Sequence, residues 1–196
     1  MIRGDSTEYD LLEKWCTKTP LYDSQRNYHK TILTCEIGVR EGLGSKVIMD
    51  TFSTRLKFKD AGYKHIGIDP YANLDYQHYD DSGSYTADYT ETMRCQLQKD
   101  FSSYEQFDLF HMTDVDFMNR YHDYGPFHFV HFDGPHMTKD VMTEAVWFAN
   151  RSIKGTRFVF DDYTKYNMAL IAKVLGYYGF SVVESGKNKC LLEKNV

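Results

Sequence analysis

Three features of the 196-residue sequence predict an α/β fold, a three-layer, doubly wound and mostly parallel sheet ending in a C-terminal antiparallel hairpin strand. Short apolar runs alternate with segments of helical period, the pattern of strands covered by helices on both faces. Several of those runs stop at an acidic residue or a glycine-bearing turn. The last forty residues break the alternation with two apolar runs joined by a turn too short for a parallel return.

Asp5 and Glu8 read as a helix start, and Tyr9, Leu12 and Cys16 follow at helical spacing. Thr31 to Ile37 reads as the first strand. The turn Gly38 to Gly44 comes next, then a helix with Ile48, Phe52 and Leu56 on one face. His65 to Ile68 is a second short strand that ends at Asp69-Pro70, and Tyr71 to Thr86, rich in Tyr, Asp, Ser and Gly, predicts a loop. A helix from about Ala87 to Lys99 leads to a third strand, Phe107 to Met112. The fourth strand, Phe127 to Phe132, stops at Asp133-Gly134. Val141, Met142, Ala145, Val146 and Ala149 then form a broad apolar stripe on a helix. Arg157 to Phe160 is the fifth strand, ending at Asp161-Asp162. After a helix carrying Met168, Ile171, Val174, Leu175 and Tyr178, the runs Phe180 to Glu184 and Lys189 to Leu192 flank Ser185-Gly-Lys-Asn188, which permits a hairpin. Residues 1–196 are expected to form one domain, with 1–30 a leading helix and connector and 31–196 the ligand-binding core.

Composition narrows the partners. With 23 basic and 28 acidic side chains, a net charge of −5 and 42% hydrophobic residues, the chain has the makings of a sizeable core. It lacks the basic surplus that binding a nucleic-acid backbone requires. No stretch approaches the roughly 20 apolar residues that span a bilayer, and the polar N-terminus lacks a signal pattern, so no membrane partner and a cytoplasmic location are expected. Cys16, Cys35, Cys95 and Cys190 show no C-x-x-C spacing, and two of them sit in strand-like runs as reduced thiols would.

In an open α/β sheet, ligands bind at the carboxyl ends of the strands, and here those ends are acidic. The first reads Glu36-Ile-Gly38-Val-Arg-Glu-Gly42-Leu-Gly44, and the others end at Asp69, Asp133 and Asp161-Asp162. Glycines let the backbone approach a ligand, and a carboxylate after the second strand can accept both hydroxyls of a ribose. A nucleoside-type ligand is expected, although the G-x-G-x-x-G spacing of dinucleotide sites is absent.

These residues resemble class I S-adenosylmethionine-dependent methyltransferases, whose first motif reads E-x-G-x-x-x-G and whose second strand ends in an acid. The resemblance runs from Thr31 to the C-terminus and extends to the terminal hairpin. It implies S-adenosylmethionine as cofactor, held by Glu36, Gly38, Gly42, Asp69, Asp114 and Asp133. The turn at Gly38 to Gly42 would face the methionine part, Asp69 the ribose, and Thr113-Asp114 the adenine edge.

A narrower resemblance lies in Phe129-Val-His-Phe-Asp133-Gly-Pro-His136 followed by Phe158-Val-Phe-Asp161-Asp162-Tyr163, which is similar to metal-dependent small-molecule O-methyltransferases of the macrocin-type sugar and catechol-type groups. It implies Asp133, Asp161 and Asp162 as ligands of a divalent cation. Three carboxylates at adjacent strand ends would repel one another without a cation, and an all-oxygen set suits Mg²⁺ or Ca²⁺ rather than zinc. His136 would be the catalytic base, taking the proton of a metal-bound hydroxyl. Pro135 stands where such relatives carry Asp or Ala, which removes a second acid.

His111, His128 and His131 read as packing histidines, with His131 on the Asp133 side of its strand and so placed to tune the site. Two other functions share the first strand and Asp69: an NAD-type dinucleotide-dependent oxidoreductase and a noncatalytic nucleoside-binding protein. The expected partner is a small-molecule acceptor, with a partner subunit or a second copy in a homo-oligomer available to complete its pocket.

Overall fold

Strands buried on both faces read as continuous apolar runs, and such runs build the centre of the sheet in this chain. The computed structural model describes every residue except 1, 5, 23–28, 58, 60, 73 and 87. Its elements are α1 (Tyr9–Thr17), β1 (Thr31–Ile37), α2 (Leu43–Leu56), β2 (Gly62–Ile68), β3 (Asp75–Gln77), β4 (Ser84–Thr86), α3 (Glu91–Asp100), β5 (Phe107–Phe110), α4 (Asp114–Arg120), β6 (Phe127–Phe132), α5 (Thr138–Ala149), β7 (Ser152–Phe160), α6 (Met168–Gly176), β8 (Phe180–Ser185) and β9 (Cys190–Lys194). Seven strands form one sheet in the order β5-β2-β1-β6-β7-β9-β8, in which β9 runs antiparallel to both neighbours, as the hairpin predicts.

Strand order reverses between β1 and β6, so a crevice opens at their carboxyl ends. Alternation along β1 separates the two layers. Ile32 packs with Leu12 and Trp15 of α1 and with Ile48 and Phe52 of α2. Leu33, Cys35 and Ile37 face the opposite layer, with Phe132, Phe148 of α5 and Ile171 of α6. Glu36 shares the Ile32 side by the same alternation, and so does His131 with respect to Phe129 on β6. All four cysteines are free thiols. Among the described residues no helix is long and apolar enough to cross a membrane.

Several boundaries depart from expectation. β2 starts at Gly62 and β7 at Ser152, because pairing with β1 and β6 extends both beyond their apolar stretches. The expected loop at Tyr71 to Thr86 carries the small antiparallel ladder β3–β4, outside the main sheet. The third strand stops at Phe110, and the unpredicted helix α4 follows, capped by the Thr113 hydroxyl, which accepts the Asp116 N–H at 3.1 Å. Thr90 caps α3 in the same way. Asp5 and Ala87, at two of the expected helix starts, lie outside the described residues. Glu8 does not cap α1. Its carboxylate accepts instead the backbone N–H groups of Lys187, Asn188 and Lys189 at 2.7, 2.8 and 3.0 Å, which ties the start of the chain to the β8–β9 turn.

Candidate functional site

Gly38, at φ 81°, is where the crevice closes to backbone contact: a Cβ there would lie 2.0 Å from the Asp133 carbonyl oxygen. Only glycine combines that φ with that approach. Two cavities flank the contact, and both reach Gly38, Tyr89 and Asp133. One, of about 220 Å³, is bounded by Asp69, Tyr76, Thr113 and Asp114. The other, of about 170 Å³, is bounded by Glu36, His136, Asp161, Asp162 and Ser6.

In the larger cavity, Asp69 is fully buried at the end of β2. Its Oδ2 accepts the Arg40 N–H and its Oδ1 the Tyr71 N–H, both at 2.9 Å. Burial pushes its carboxyl up, and these backbone donors oppose the shift. A carboxylate offers about four lone-pair sites, so acceptor capacity remains toward the cavity. Asp114 reaches the same space from the first turn of α4. Gly42, by contrast, lines neither cavity: it caps α2 at φ 87° with its Cβ direction toward Leu97 and Phe101, although Val39, Arg40 and Glu41 of the same turn line the smaller one.

The smaller cavity rests on a buried polar chain whose donor directions are fixed by its acceptors. Ser45 donates to Glu36 Oε2 at 2.5 Å, and His131 Nδ1 donates to Glu36 Oε1 at 2.8 Å. Lys189, fully buried, faces His131 Nε2 at 3.4 Å and donates to Asp161 Oδ1 at 2.6 Å and to Ser6 Oγ at 2.8 Å. The Ser6 hydroxyl then donates to Asp161 Oδ2 at 2.6 Å. Glu36 fits at this depth because residue 44 is glycine, a Cβ there lying 1.9 Å from Glu36 Oε1. Burial works against ionising Asp161, but the Lys189 ammonium overrides it and holds the carboxyl at about 2. Asp133 moves the other way, pushed well up by burial and then by the Asp161 charge.

The structure therefore brings Asp133 and Asp161 together but does not assemble the expected metal set. Among the described residues, the one group of three with ligand atoms all within 4.8 Å of one another is Glu36, His131 and Asp133, not Asp133, Asp161 and Asp162. Each oxygen of Asp161 accepts a hydrogen bond, from the Lys189 ammonium and from Ser6, so a cation already stands at this carboxylate. Asp162 sits at φ 47° with its carboxylate accepting the Tyr79 hydroxyl at 3.3 Å. In the Glu36 group, the glutamate and histidine are spent on each other.

His136 is 5% exposed, lies between the rings of Tyr79 and Tyr166, and pairs through Nδ1 with His78 Nε2 at 3.3 Å. Its Nε2 has no hydrogen-bond partner among the described residues. Burial, with the neighbouring His78 next, lowers its pKa to about 3, so the ring is neutral near pH 7. Residues that sequence reasoning missed are Ser6 and Lys189, and Glu8 was read only as a helix start; Tyr79, in the tyrosine-rich loop expected either to close over a ligand or to be a solvent loop, lines the cavity. A signal for Lys189 lies in the hairpin itself. The antiparallel register pairs Phe160 with Cys190, and one further step sets Lys189 across from Asp161. Arg3, Gly4, Ser6, Thr7 and Tyr9 supply part of the wall that a compact chain was expected to borrow from a partner.

A parallel sheet ending in an antiparallel hairpin, with a glycine turn after β1 and acids after β2 and β6, defines the class I methyltransferase fold. The chain belongs to the methyltransferase-domain family, whose pattern matches residues 35–163, and it is an S-adenosylmethionine-dependent methyltransferase. No curated protein matches it. Solved structures similar in fold include TomG, an O-methyltransferase from Streptomyces achromogenes involved in tomaymycin synthesis and complexed with S-adenosylmethionine. Its TM-score is 0.63 at 11% identity, over 100% of this chain and 82% of that one. CalS11, a calicheamicin methyltransferase, gives 0.60 at 16% identity over 94% and 76%. MycE, from the mycinamycin pathway and complexed with Mg, S-adenosylhomocysteine and mycinamycin VI, gives 0.52 at 17% identity over 85% of this chain but 45% of MycE.

Proposed function

We propose that the protein methylates a hydroxyl oxygen of a small, polar, sugar-containing molecule. The observation that carries this reading is the meeting of two chemically different cavities at Gly38 and Asp133. The larger has a nucleoside's requirements, with Asp69 for ribose hydroxyls and Asp114 for the adenine edge. The smaller has an acceptor's, with a neutral imidazole beside carboxylates. S-adenosylmethionine, when bound, supplies a sulfonium methyl carbon that needs no further activation.

The chain's own part is to orient the acceptor and take its proton. His136 does the second: with Nδ1–H donated to His78, Nε2 keeps a buried lone pair with no partner among the described residues, available to an acceptor hydroxyl bound against it. An imidazole with pKa about 3 is a weak base toward an alcohol. The hydroxyl becomes strongly acidic once its oxygen bonds to carbon, so a late transfer to His136 is downhill. Tyr79, Arg40, Asp162 and Asn188 offer hydrogen-bonding groups suited to a polyol. CalS11 is described as a TDP-rhamnose 3'-O-methyltransferase, and that likeness supports a sugar-bearing acceptor; MycE was solved with mycinamycin VI, which supports a small-molecule one. A divalent ion, as the sequence resemblance implies, would need Asp133, Asp161 and Asp162 as ligands. With the Lys189 ammonium already against Asp161, and with Asp133, Asp161 and Asp162 not gathered within 4.8 Å of one another, that donor set does not fit, and no step passes through a metal.

The test is transfer of a radiolabelled methyl group to a panel of nucleotide-activated deoxysugars and catechols, with His136→Gln beside the parent. Transfer to a sugar hydroxyl is expected, with kcat for His136→Gln lower by about 10²-fold or more and donor affinity unchanged. Parent-like kcat in that variant would remove His136 from the chemistry. Exclusive transfer to catechols would remove the sugar acceptor.

A further inference from the structure

Lys189 is the only fully buried lysine among the described residues, and it sits at the carboxyl end of the sheet where the sequence resemblance places a divalent ion. Its ammonium has three N–H donors, and three acceptors surround it: Asp161 Oδ1 at 2.6 Å, Ser6 Oγ at 2.8 Å and His131 Nε2 at 3.4 Å. The Tyr9 ring covers it, centroid 5.6 Å from Nζ. Its backbone is pinned twice, by the β7–β9 register and by the bond from its N–H to Glu8. An ion entering at Asp161 would have to displace an ammonium that has no route to solvent in this packing, leaving one buried cation beside another.

We propose that Lys189 is the built-in cation of this site, holding the Asp161 carboxylate, so that this methyltransferase works without a divalent metal. The inference deepens the functional reading above and rests on it for the identity of the site. Lys189 does not line either cavity, so it is a positioning residue: it fixes the Asp161 carboxylate, and through Ser6 it fastens the N-terminal segment that walls the smaller cavity. Without it, Glu36, Asp133 and Asp161 share a buried pocket with no strong opposing charge, and a hard dication becomes a welcome substitute.

The experiment titrates Mn²⁺ into the full chain, following free Mn²⁺ by electron paramagnetic resonance, with parent and Lys189→Met side by side. S-adenosylhomocysteine affinity is measured with and without EDTA. The parent is expected to take up no stoichiometric Mn²⁺ and to bind S-adenosylhomocysteine within about twofold whether or not EDTA is present. Lys189→Met is expected to bind one equivalent at least about tenfold more tightly than the parent, and its lowered Tm should rise with Mg²⁺ while the parent's does not. A merely structural lysine would give no such rescue. One equivalent of Mn²⁺ bound by the parent overturns the proposal, and so does a folded Lys189→Met that takes up none. If the variant does not fold, the parent decides: no uptake supports the proposal and uptake ends it. Failure of the parent to bind S-adenosylhomocysteine would instead count against the methyltransferase reading, and the Mn²⁺ titration stands apart from it.

Discussion

His65 is fully buried and its hydrogen bonds give it one protonation state. Ser45 donates its only hydroxyl proton to Glu36, so at 2.9 Å it accepts from His65 Nε2, and His65 Nδ1 is left to accept from the Thr34 hydroxyl at 2.8 Å. Burial first, then the nearby His131, lowers its pKa from 6.5 to about 3. Because the folded value is depressed, the unfolded chain binds more protons between pH 6.5 and about 3, so stability rises with pH through that window. Each pH unit costs the parent about 1.4 kcal/mol through this residue as the medium is acidified, or about 2 kcal/mol by pH 5. His65→Gln removes the titration and keeps a polar group. Near pH 8 it should be about 1–2 kcal/mol less stable than the parent, the cost of imperfect bonding to Thr34 and Ser45. Below pH 6 the gap should close at about 1.4 kcal/mol per unit, and the two stabilities should cross near pH 5. Urea unfolding of both proteins across this range, followed by the fluorescence of buried Trp15, measures the gap. Carboxyl titrations common to the two cancel in the difference. A gap independent of pH would refute the neutral, buried imidazole.

Two further substitutions probe the frame of the site. Gly38→Ala places a Cβ 2.0 Å from the Asp133 carbonyl at φ 81°, and should cost at least about 2 kcal/mol of stability by urea unfolding while weakening S-adenosylhomocysteine binding. A parent-like Gly38→Ala would mean that the β1 and β6 ends do not touch. Glu8→Ala removes three backbone bonds from the β8–β9 turn. Amide exchange at 187–189 should speed up selectively, with a loss of about 1–2 kcal/mol; unchanged exchange there would sever the N-terminal segment from the hairpin.

The frame of the site was legible because it is written locally. Each acid that ends a strand follows an apolar run, and β1 and β6 have the predicted bounds because both faces of each strand are buried. The Asp69 and Asp114 side follows from that frame. The smaller cavity was less readable, because its wall is assembled from segments far apart in sequence. Ser6 meets Asp161 across 155 positions, and Glu8 meets Lys189 across 181. Neither pairing has a periodicity. Asp161-Asp162 looked like a pair of equivalent ligands, yet the left-handed conformation at Asp162 sends the two carboxylates to different partners. Lys189 read only as the first residue of the last strand run, although the pairing of β9 beside β7 places it opposite Asp161. α4 and the β3–β4 ladder were missed because seven-residue and three-residue elements carry too little pattern.

Donor recognition at the β1–β6 crevice is the claim on which the rest stands, and calorimetric titration with S-adenosylhomocysteine tests it most directly, with Asp69→Ala beside the parent. The larger cavity predicts saturable binding to the parent that falls by at least about tenfold when the Asp69 carboxylate is removed. Heat-silent titration of the folded parent, or equal affinity in the two proteins, would contradict it.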